Sequence, residues 1–217
     1  MRTLVGIPVF RVPDLVRRCL ASIIGTPADI VVIDNASDSD VKQVLRGFKN
    51  KCKVITNDRN LYCNGAWNQI LSEGIAGGYE CIGIGSSDVE MHSGWYETLT
   101  KRLDNYSKEV LIPRVGSLVP NPDYMAGEVV TGGVAGYFTF LPREAAELVY
   151  PIPQQLRHWH GDEYIFGKLR SLGWKVVIMR DVTAWHEQSA ITAVTPDAYK
   201  VIEQDIVSWE AYKETQK

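Results

Sequence analysis

The chain has 217 residues, of which 45% are hydrophobic, and this is enough for one compact domain with a substantial buried core. Its 23 basic and 26 acidic side chains give a formal net charge of -3, without the basic excess of proteins held mainly by nucleic-acid phosphates. No apolar run approaches the roughly 18 residues of a spanning helix, and the amino terminus lacks a signal peptide's charged-then-apolar layout. The sequence therefore predicts a soluble, cytoplasmic protein, with a peripheral position at a membrane surface left open.

The first part of the chain alternates between strand and helix patterns. Short β-branched and apolar runs predict strands at Thr3–Val9, Ala28–Asp34, Lys53–Thr56 and Cys81–Ile84. Apolar residues at helical spacing predict helices at Val12–Ile24, Val41–Phe48 and Gly65–Glu73. This alternation predicts an α/β fold with a mainly parallel sheet and helices packed on its faces.

Beyond this part the pattern is less regular. The predicted elements are a helix at Gly94–Tyr106, an extended segment at Val110–Val119, a strand at Val134–Leu141, helices at Arg143–Val149 and Asp162–Leu172, and a strand at Trp174–Met179. The stretch Asn121–Gly136 is rich in glycine, proline and polar residues, which is typical of an active-site loop. The charged tail Glu203–Lys217 predicts a closing helix.

Two of the predicted strands end in acidic clusters. Asp34 follows the second strand in DIVVIDNASD, and Asp88 follows the fourth in YECIGIGSSDVEM. Carboxylates at the carboxyl ends of parallel strands line the crevice where ligands bind, so the pair predicts a nucleotide-plus-metal site and hence an enzyme. The alternative for each is a turn residue or a cap of the following helix.

Five segments carry a resemblance to a known family, and they occur in that family's order. They are GIPVFRVPDLVRRCLASI, VVIDNASDSD, NDRNLYCNGAWNQIL, IGIGSSDVEMHSGW and HGDEYIFGKLRSLGWKVVIMRDVTAWHEQSA. Together, from about Leu4 to Ser189, they resemble the family 2 glycosyltransferases, which are inverting enzymes of the GT-A fold that use nucleotide-sugar donors. The resemblance implies a Rossmann-like nucleotide-binding half at about 1–90, an acceptor-binding and catalytic half at about 91–190, and a helical tail at 191–217, all in one domain.

The resemblance also implies roles for individual residues. Asp34 would accept a hydrogen bond from the nucleotide base, usually uracil. The implied donor-binding residues as a set are Pro8, Phe10, Asp34, Asn60, Gly65, Asn68, Ser87 and Asp88. Asp88 and His186 stand at the metal-ligand positions for Mn2+ or Mg2+. Asp162 stands at the general-base position, and its neighbour Glu163 is the alternative, because a one-residue change of helix start rotates which side chain faces the crevice.

The acceptor side depends on less specific signals. Trp159 is positioned to stack on an acceptor sugar or base, and His160 follows it directly before the proposed base. Gly133 precedes the strand that resembles the acceptor-side floor, where a glycine lets substrate approach the backbone closely, unless it belongs to an ordinary turn. Trp67, in the donor segment, is either packing or a wall of the donor site.

One departure from the family pattern concerns the metal. Ser86 stands where the first acidic residue of D-x-D is expected, so only Asp88 remains of the pair. One protein carboxylate still suffices for a weak site that the donor's diphosphate completes.

The sequence thus predicts a metal-dependent transferase acting on a UDP-sugar or related donor and a hydroxyl acceptor. A glycan or a lipid-linked glycan is the favoured acceptor, whereas a modified DNA base is disfavoured by the charge balance. A nucleotidyltransferase and a non-catalytic sugar- or nucleotide-binding module are the alternatives. Assembly into a homo-oligomer is left open.

Overall fold

The structure is a computed structural model that describes residues 1–105, 107–115, 128–129, 131, 135–187 and 190–215. The strands in this part of the chain are β1 (Thr3–Val9), β2 (Asp29–Asp34), β3 (Lys53–Thr56), β4 (Cys81–Gly85), β5 (Val89–Met91), β6 (Glu109–Val115), β7 (Glu128–Val129), β8 (Phe138–Pro142) and β9 (Lys175–His186). The helices are α1 (Pro13–Ile23), α2 (Ser39–Gly47), α3 (Tyr62–Ala76), α4 (Trp95–Asn105), α5 (Arg143–Val149), α6 (Gly161–Ser171), α7 (Ala190–Val194) and α8 (Ala198–Thr215).

All of these strands belong to one sheet with the order β3-β2-β1-β4-β8-β6-β9-β5, and β7 pairs with β9 beside this path. The pairs β3-β2, β2-β1 and β1-β4 are parallel, as the alternation of strands and helices predicts. The α/β fold is therefore confirmed. The second half of the sheet is mixed, because β8 runs antiparallel to both β4 and β6, whereas β6 and β9 are parallel.

Helices cover both faces of the sheet and create two apolar layers. Alternate residues of β1 point to opposite faces. Val5, Ile7 and Val9 join a core with side chains of α1, α2 and α4, while Leu4 joins a second core with side chains of α3, α5 and α6. Gly6 lies where α3 approaches β1 most closely, since a Cβ there would come within 2.2 Å of Ile70 Cγ2. The two layers fix the carboxyl ends of β1 and β4 beside each other.

The sequence-based bounds differ from the structure mainly in the second half. β8 begins at Phe138 rather than at Val134, which lies outside the described residues, as does most of Asn121–Gly136. β9 continues beyond Met179 to His186, and the closing helix begins at Ala198 rather than at Glu203. None of the described helices has the length and apolar character needed to cross a membrane.

Candidate active site

A cleft of about 590 Å³ opens at the carboxyl ends of β1 and β4. The loops after these strands, the first turns of α3 and α6, and the segment around α7 form its walls. Most of the residues predicted from the sequence line this cleft, namely Pro8, Phe10, Asn60, Ser87, Asp88, Trp159, His160, Asp162, Glu163 and His186. The fold therefore brings together residues from both ends of the chain.

Three predicted donor-binding residues do not line the cleft. Asp34 is 1% exposed, and its carboxylate accepts the backbone N–H of Ser37 at 2.8 Å, which is the turn role that its sequence context also allowed. Asn68 bonds both the N–H and the carbonyl of Ile152, at 2.7 and 2.9 Å. Gly65 packs against Leu61, whose Cβ would lie 2.8 Å from an added Cβ. These residues support the scaffold around the cleft.

Gly133, predicted on the acceptor side, lies outside the described residues. Conversely, some cleft residues were missed from the sequence: Asn35, Asn64, Tyr137, His158 and Thr192. Asn35 directly follows Asp34, and Asn64 lies within the donor segment NDRNLYCNGAWNQIL, so both occur inside stretches that already carried a signal. The other three have no sequence pattern that sets them apart.

Asp88 and His186 meet through strand pairing. Val89 lies opposite His186 in the antiparallel ladder of β5 and β9, which leaves His186 Nε2 3.5 Å from Asp88 Oδ1. Asp88 is buried, and its Oδ1 also accepts a hydrogen bond from the hydroxyl of Ser86. The imidazole stacks on the ring of Tyr137 with 5.0 Å between centroids and an interplanar angle of 25°. Ser86 thus holds the carboxylate of Asp88 in place, and Tyr137 holds the imidazole of His186.

This pair offers one carboxylate oxygen and one imidazole nitrogen to a cation. In the part of the chain that the structure describes, no cluster of three His, Cys, Asp or Glu side chains could hold a metal by itself. Two converging donors fit a divalent ion whose remaining positions are filled by ligand oxygens and water, and the imidazole suits Mn2+ better than Mg2+. The residues present therefore fit a shared metal site rather than an all-protein one.

Asp162 lies at the start of α6, where His160 takes the left-handed conformation with a φ of 60°. Its Oδ2 accepts the N–H of Gly136 at 2.8 Å, and its Oδ1 accepts the N–H of Glu163 at 2.9 Å. Burial raises the pKa of the Asp162 carboxyl above its ordinary value of 3.8, although the backbone N–H groups oppose this shift. Glu163 is more exposed, and its carboxylate contacts Nδ1 of His160.

Aromatic side chains form two parts of the cleft wall. Trp67 is 5% exposed and its indole N–H donates to the carbonyl of Gly85 at 3.0 Å, so it both packs the core and closes the cleft below β4. Trp159 is 47% exposed and meets His160 edge to face, with ring centroids 6.3 Å apart. His160 in turn stacks on Trp209 of α8 at 5.7 Å. Of the two indoles, that of Trp159 presents the larger apolar surface to a ligand.

Several cleft residues carry a buried polar atom that has no hydrogen-bond partner within the described residues. They are Asn64 through Oδ1, Ser87 through Oγ, His158 through Nδ1 and His160 through Nε2. Buried polar groups in folded proteins are normally hydrogen-bonded. Such atoms also occur away from the cleft, at Thr3, His92 and Trp95, so they do not by themselves mark a ligand site.

Comparison with solved structures shows that the fold is of the GT-A type. The chain superposes on TarS of S. aureus in complex with UDP-GlcNAc with a TM-score of 0.70 and 15% identity, covering 95% of this chain and 66% of that one. GalNAc-T7 with UDP, GalNAc and Mn2+ gives 0.65 and 17%, covering 86% and 44%. The mannosyltransferase PcManGT of Pyrobaculum calidifontis with GDP-Man and Mn2+ gives 0.63 and 16%, covering 85% and 56%.

The sequence profile of glycosyl transferase family 2 matches residues 4–129. This is more than half of the chain, and the chain belongs to glycosyl transferase family 2. The match ends before Asp162, Glu163 and His186, so it does not test the roles predicted for these three residues. No curated protein matches the chain by sequence. The chain spans about two thirds or less of the length of these structural relatives, 65% in the case of TarS 1-349.

Proposed function

We propose that the protein is an inverting glycosyltransferase that moves a sugar from a nucleotide-diphosphate donor, with UDP-sugars favoured, to a hydroxyl acceptor. The observation that carries this proposal is the convergence of the Asp88–His186 pair and the carboxylate of Asp162 in one cleft of a family 2 fold. The Asp88–His186 pair would hold a divalent cation that suits the donor's diphosphate, and the Asp162 carboxylate suits the proton of an attacking hydroxyl.

The donor occupies the side of the cleft formed by β1 and the start of α3. Pro8 and Phe10 line this side together with Asn60 and Asn35, whose Oδ1 accepts a hydrogen bond from Asn57 at 2.9 Å. We place the nucleoside here and the diphosphate towards Asp88 and His186. A bound Mn2+ or Mg2+ would neutralise the negative charge that develops on the leaving diphosphate.

Asp162 is the proposed general base. An acceptor hydroxyl is a poor nucleophile, so a carboxylate within hydrogen-bond reach must take its proton as it attacks the anomeric carbon. Two backbone N–H groups orient Asp162, and the burial that raises its pKa makes the carboxylate a stronger base. Glu163 is the less suitable candidate because its carboxylate contacts His160. A single in-line attack with this base inverts the anomeric configuration.

The acceptor occupies the side of the cleft that carries Trp159. The exposed indole offers a flat apolar face against which a sugar ring stacks. A glycan or lipid-linked glycan therefore suits the site, and a formal net charge of -3 does not favour a nucleic acid.

All four cysteines are free thiols, which supports a reducing, cytoplasmic location.

The test is calorimetry of the protein with UDP, GDP and their common sugar conjugates, with Mn2+ present and then chelated. Binding of one nucleotide class that weakens on chelation supports the proposal, whereas no binding by any of them overturns it in favour of a non-catalytic module. Transfer is then measured from the bound donor to a panel of methyl glycosides. The methyl glycoside that the protein glycosylates fastest is then used as the reporter acceptor in kinetic tests.

A further inference from the structure

Asp205 of α8 is a fully buried carboxylate whose partners are all backbone groups. It is 0% exposed. Its Oδ1 accepts the N–H of Arg157 at 2.9 Å, and its Oδ2 accepts the N–H groups of His158 and Trp159 at 2.6 and 2.8 Å. Three consecutive N–H groups converging on one carboxylate form an anion-binding concavity of the backbone, filled here by a side chain of the same protein.

The same loop is held from its other side by Asn64 of α3. The amide of Asn64 donates to the carbonyls of Leu156 and Trp159 at 3.1 and 3.0 Å, and its backbone N–H donates to the carbonyl of Arg157 at 2.9 Å. The N–H groups of residues 157–159 thus point to α8 and their neighbouring carbonyls point to α3. The 156–160 loop has little freedom to shift while both partners are in place.

Residues at the carboxyl end of this loop belong to the proposed acceptor side. Trp159 presents its exposed indole to the cleft, His160 lies beside it, and α6 with Asp162 begins immediately afterwards. Further contacts tie the loop to the carboxyl-terminal segment, since Trp209 stacks on His160 and Thr192 bonds Nε2 of His158 at 3.1 Å. The backbone that carries the indole is therefore tied to α8.

We propose that Asp205 is a positioning residue for acceptor recognition, fixing the 156–160 loop so that Trp159 meets the acceptor. It touches neither donor nor acceptor and acts through the backbone of this loop. The inference rests on the proposed function for its acceptor role, whereas the fixing of the loop is a separate and independently measurable claim.

The test uses Asp205→Asn in the full chain. An amide keeps one acceptor oxygen but turns an NH2 group towards one of the three N–H donors. The variant therefore loses a hydrogen bond to the loop while the volume of the buried side chain stays the same. Glu203→Gln makes the same charge change at an exposed position of α8 and is the control for charge. Val201→Ala removes buried volume from α8 and is the control for general loss of stability.

The first readout is hydrogen exchange of the backbone over residues 156–160, measured by mass spectrometry. We expect faster exchange in Asp205→Asn but not in Val201→Ala or Glu203→Gln. Unchanged exchange in Asp205→Asn overturns the claim that this residue fixes the loop, whatever the activity of the protein.

The second readout is kinetic, with the reporter acceptor and saturating donor. We expect the acceptor KM of Asp205→Asn to rise about tenfold, as for the loss of one well-made hydrogen bond, while kcat and the donor Kd stay near the wild-type values. Equal falls in kcat for Asp205→Asn and Val201→Ala would mean that Asp205 is merely structural. A wild-type protein that neither binds a nucleotide sugar nor transfers it overturns the proposed function and, with it, the acceptor role.

Discussion

Replacing Gly136 with alanine should displace the proposed base while leaving the donor side intact. An added Cβ would lie 2.6 Å from Cβ of Asp162, whereas carbon atoms in contact normally stand about 3.5–4.0 Å apart. Because the nearest atom is close to the α6 backbone rather than at the end of a flexible side chain, the two segments must separate by roughly 1 Å.

This separation determines the expected size of the effect. The hydrogen bond from Gly136 N–H to Asp162 Oδ2 measures 2.8 Å. Lengthened by roughly 1 Å, it leaves the range of about 2.7–3.2 Å in which such a bond forms. A misplacement of about 1 Å at a reacting group costs on the order of 100-fold in rate, and overpacking costs about 1–3 kcal/mol of stability. We therefore expect kcat to fall about 100-fold, with a lower melting temperature.

The assay compares kcat with the reporter acceptor, the donor Kd by calorimetry, and the melting temperature. Gly167→Ala is the matched control, because Gly167 lies on the same helix with nothing within 4 Å of an added Cβ. That variant should keep wild-type turnover and gain up to about 1 kcal/mol, since alanine favours a helix over glycine. If Gly136→Ala turns over within about twofold of the wild type, this backbone bond does not orient the base.

Four further predictions concern the proposed base, the proposed metal pair and the proposed acceptor wall. Asp162→Asn should abolish transfer and keep donor binding. Its effect on stability at neutral pH combines two opposed contributions. The amide can accept only one of the two backbone N–H groups, but the ionised carboxylate, which burial disfavours and whose pKa is therefore raised, is no longer present. In the wild type, kcat should fall with decreasing pH through a value above 3.8 as this base protonates, whereas Glu163→Gln should leave that limb in place. Ser86→Asp should strengthen Mn2+ binding about tenfold, because it gives the cation a second carboxylate beside Asp88. Trp159→Ala should raise the acceptor KM and leave the donor Kd unchanged.

Each of these predictions has an outcome that contradicts it. Transfer at the wild-type rate by Asp162→Asn would exclude it as the base, and loss of the acid limb in Glu163→Gln would move that role to Glu163. Titration of Ser86→Asp with Mn2+ that gives the wild-type Kd would show that a carboxylate at position 86 does not reach the cation. An unchanged acceptor KM in Trp159→Ala would remove the indole from the acceptor side.

Short-range patterns were sufficient to predict the first half of the fold. β1, β2 and β4 are buried strands flanked by turns and helices, so composition and spacing alone predict them. β5 has only three residues and carries no such pattern, although its pairing with β9 is what brings Asp88 to His186. Contacts of this range depend on the assembled sheet and leave no local trace in the sequence.

Single residues also show that sequence patterns alone do not predict which contacts a side chain makes in the folded protein. Asp34 has the sequence context of both a ligand-binding strand end and a turn. Its Oδ1 accepts the N–H of Ser37, as in a turn, and its predicted contact with the nucleotide base stays a prediction. Asp205 lies in a charged tail and resembles a solvated surface residue, but it is fully buried. Its partners are backbone N–H groups, which every residue except proline possesses, so no side-chain motif could predict the contact.

The antiparallel pairing of β8 with β4 has a consequence for attempts to prepare the proposed nucleotide-binding half, at about residues 1–90, alone. Cys81–Gly85 is covered along one edge by Phe138–Pro142, so a fragment ending near residue 90 would expose that edge to pairing with other copies and aggregation. The fragment would also lack His186, the partner of Asp88. During synthesis, Asp88 and His186 come together only after β9 has left the ribosome, so metal-dependent donor binding, under the proposed function, would report the pairing of β5 with β9.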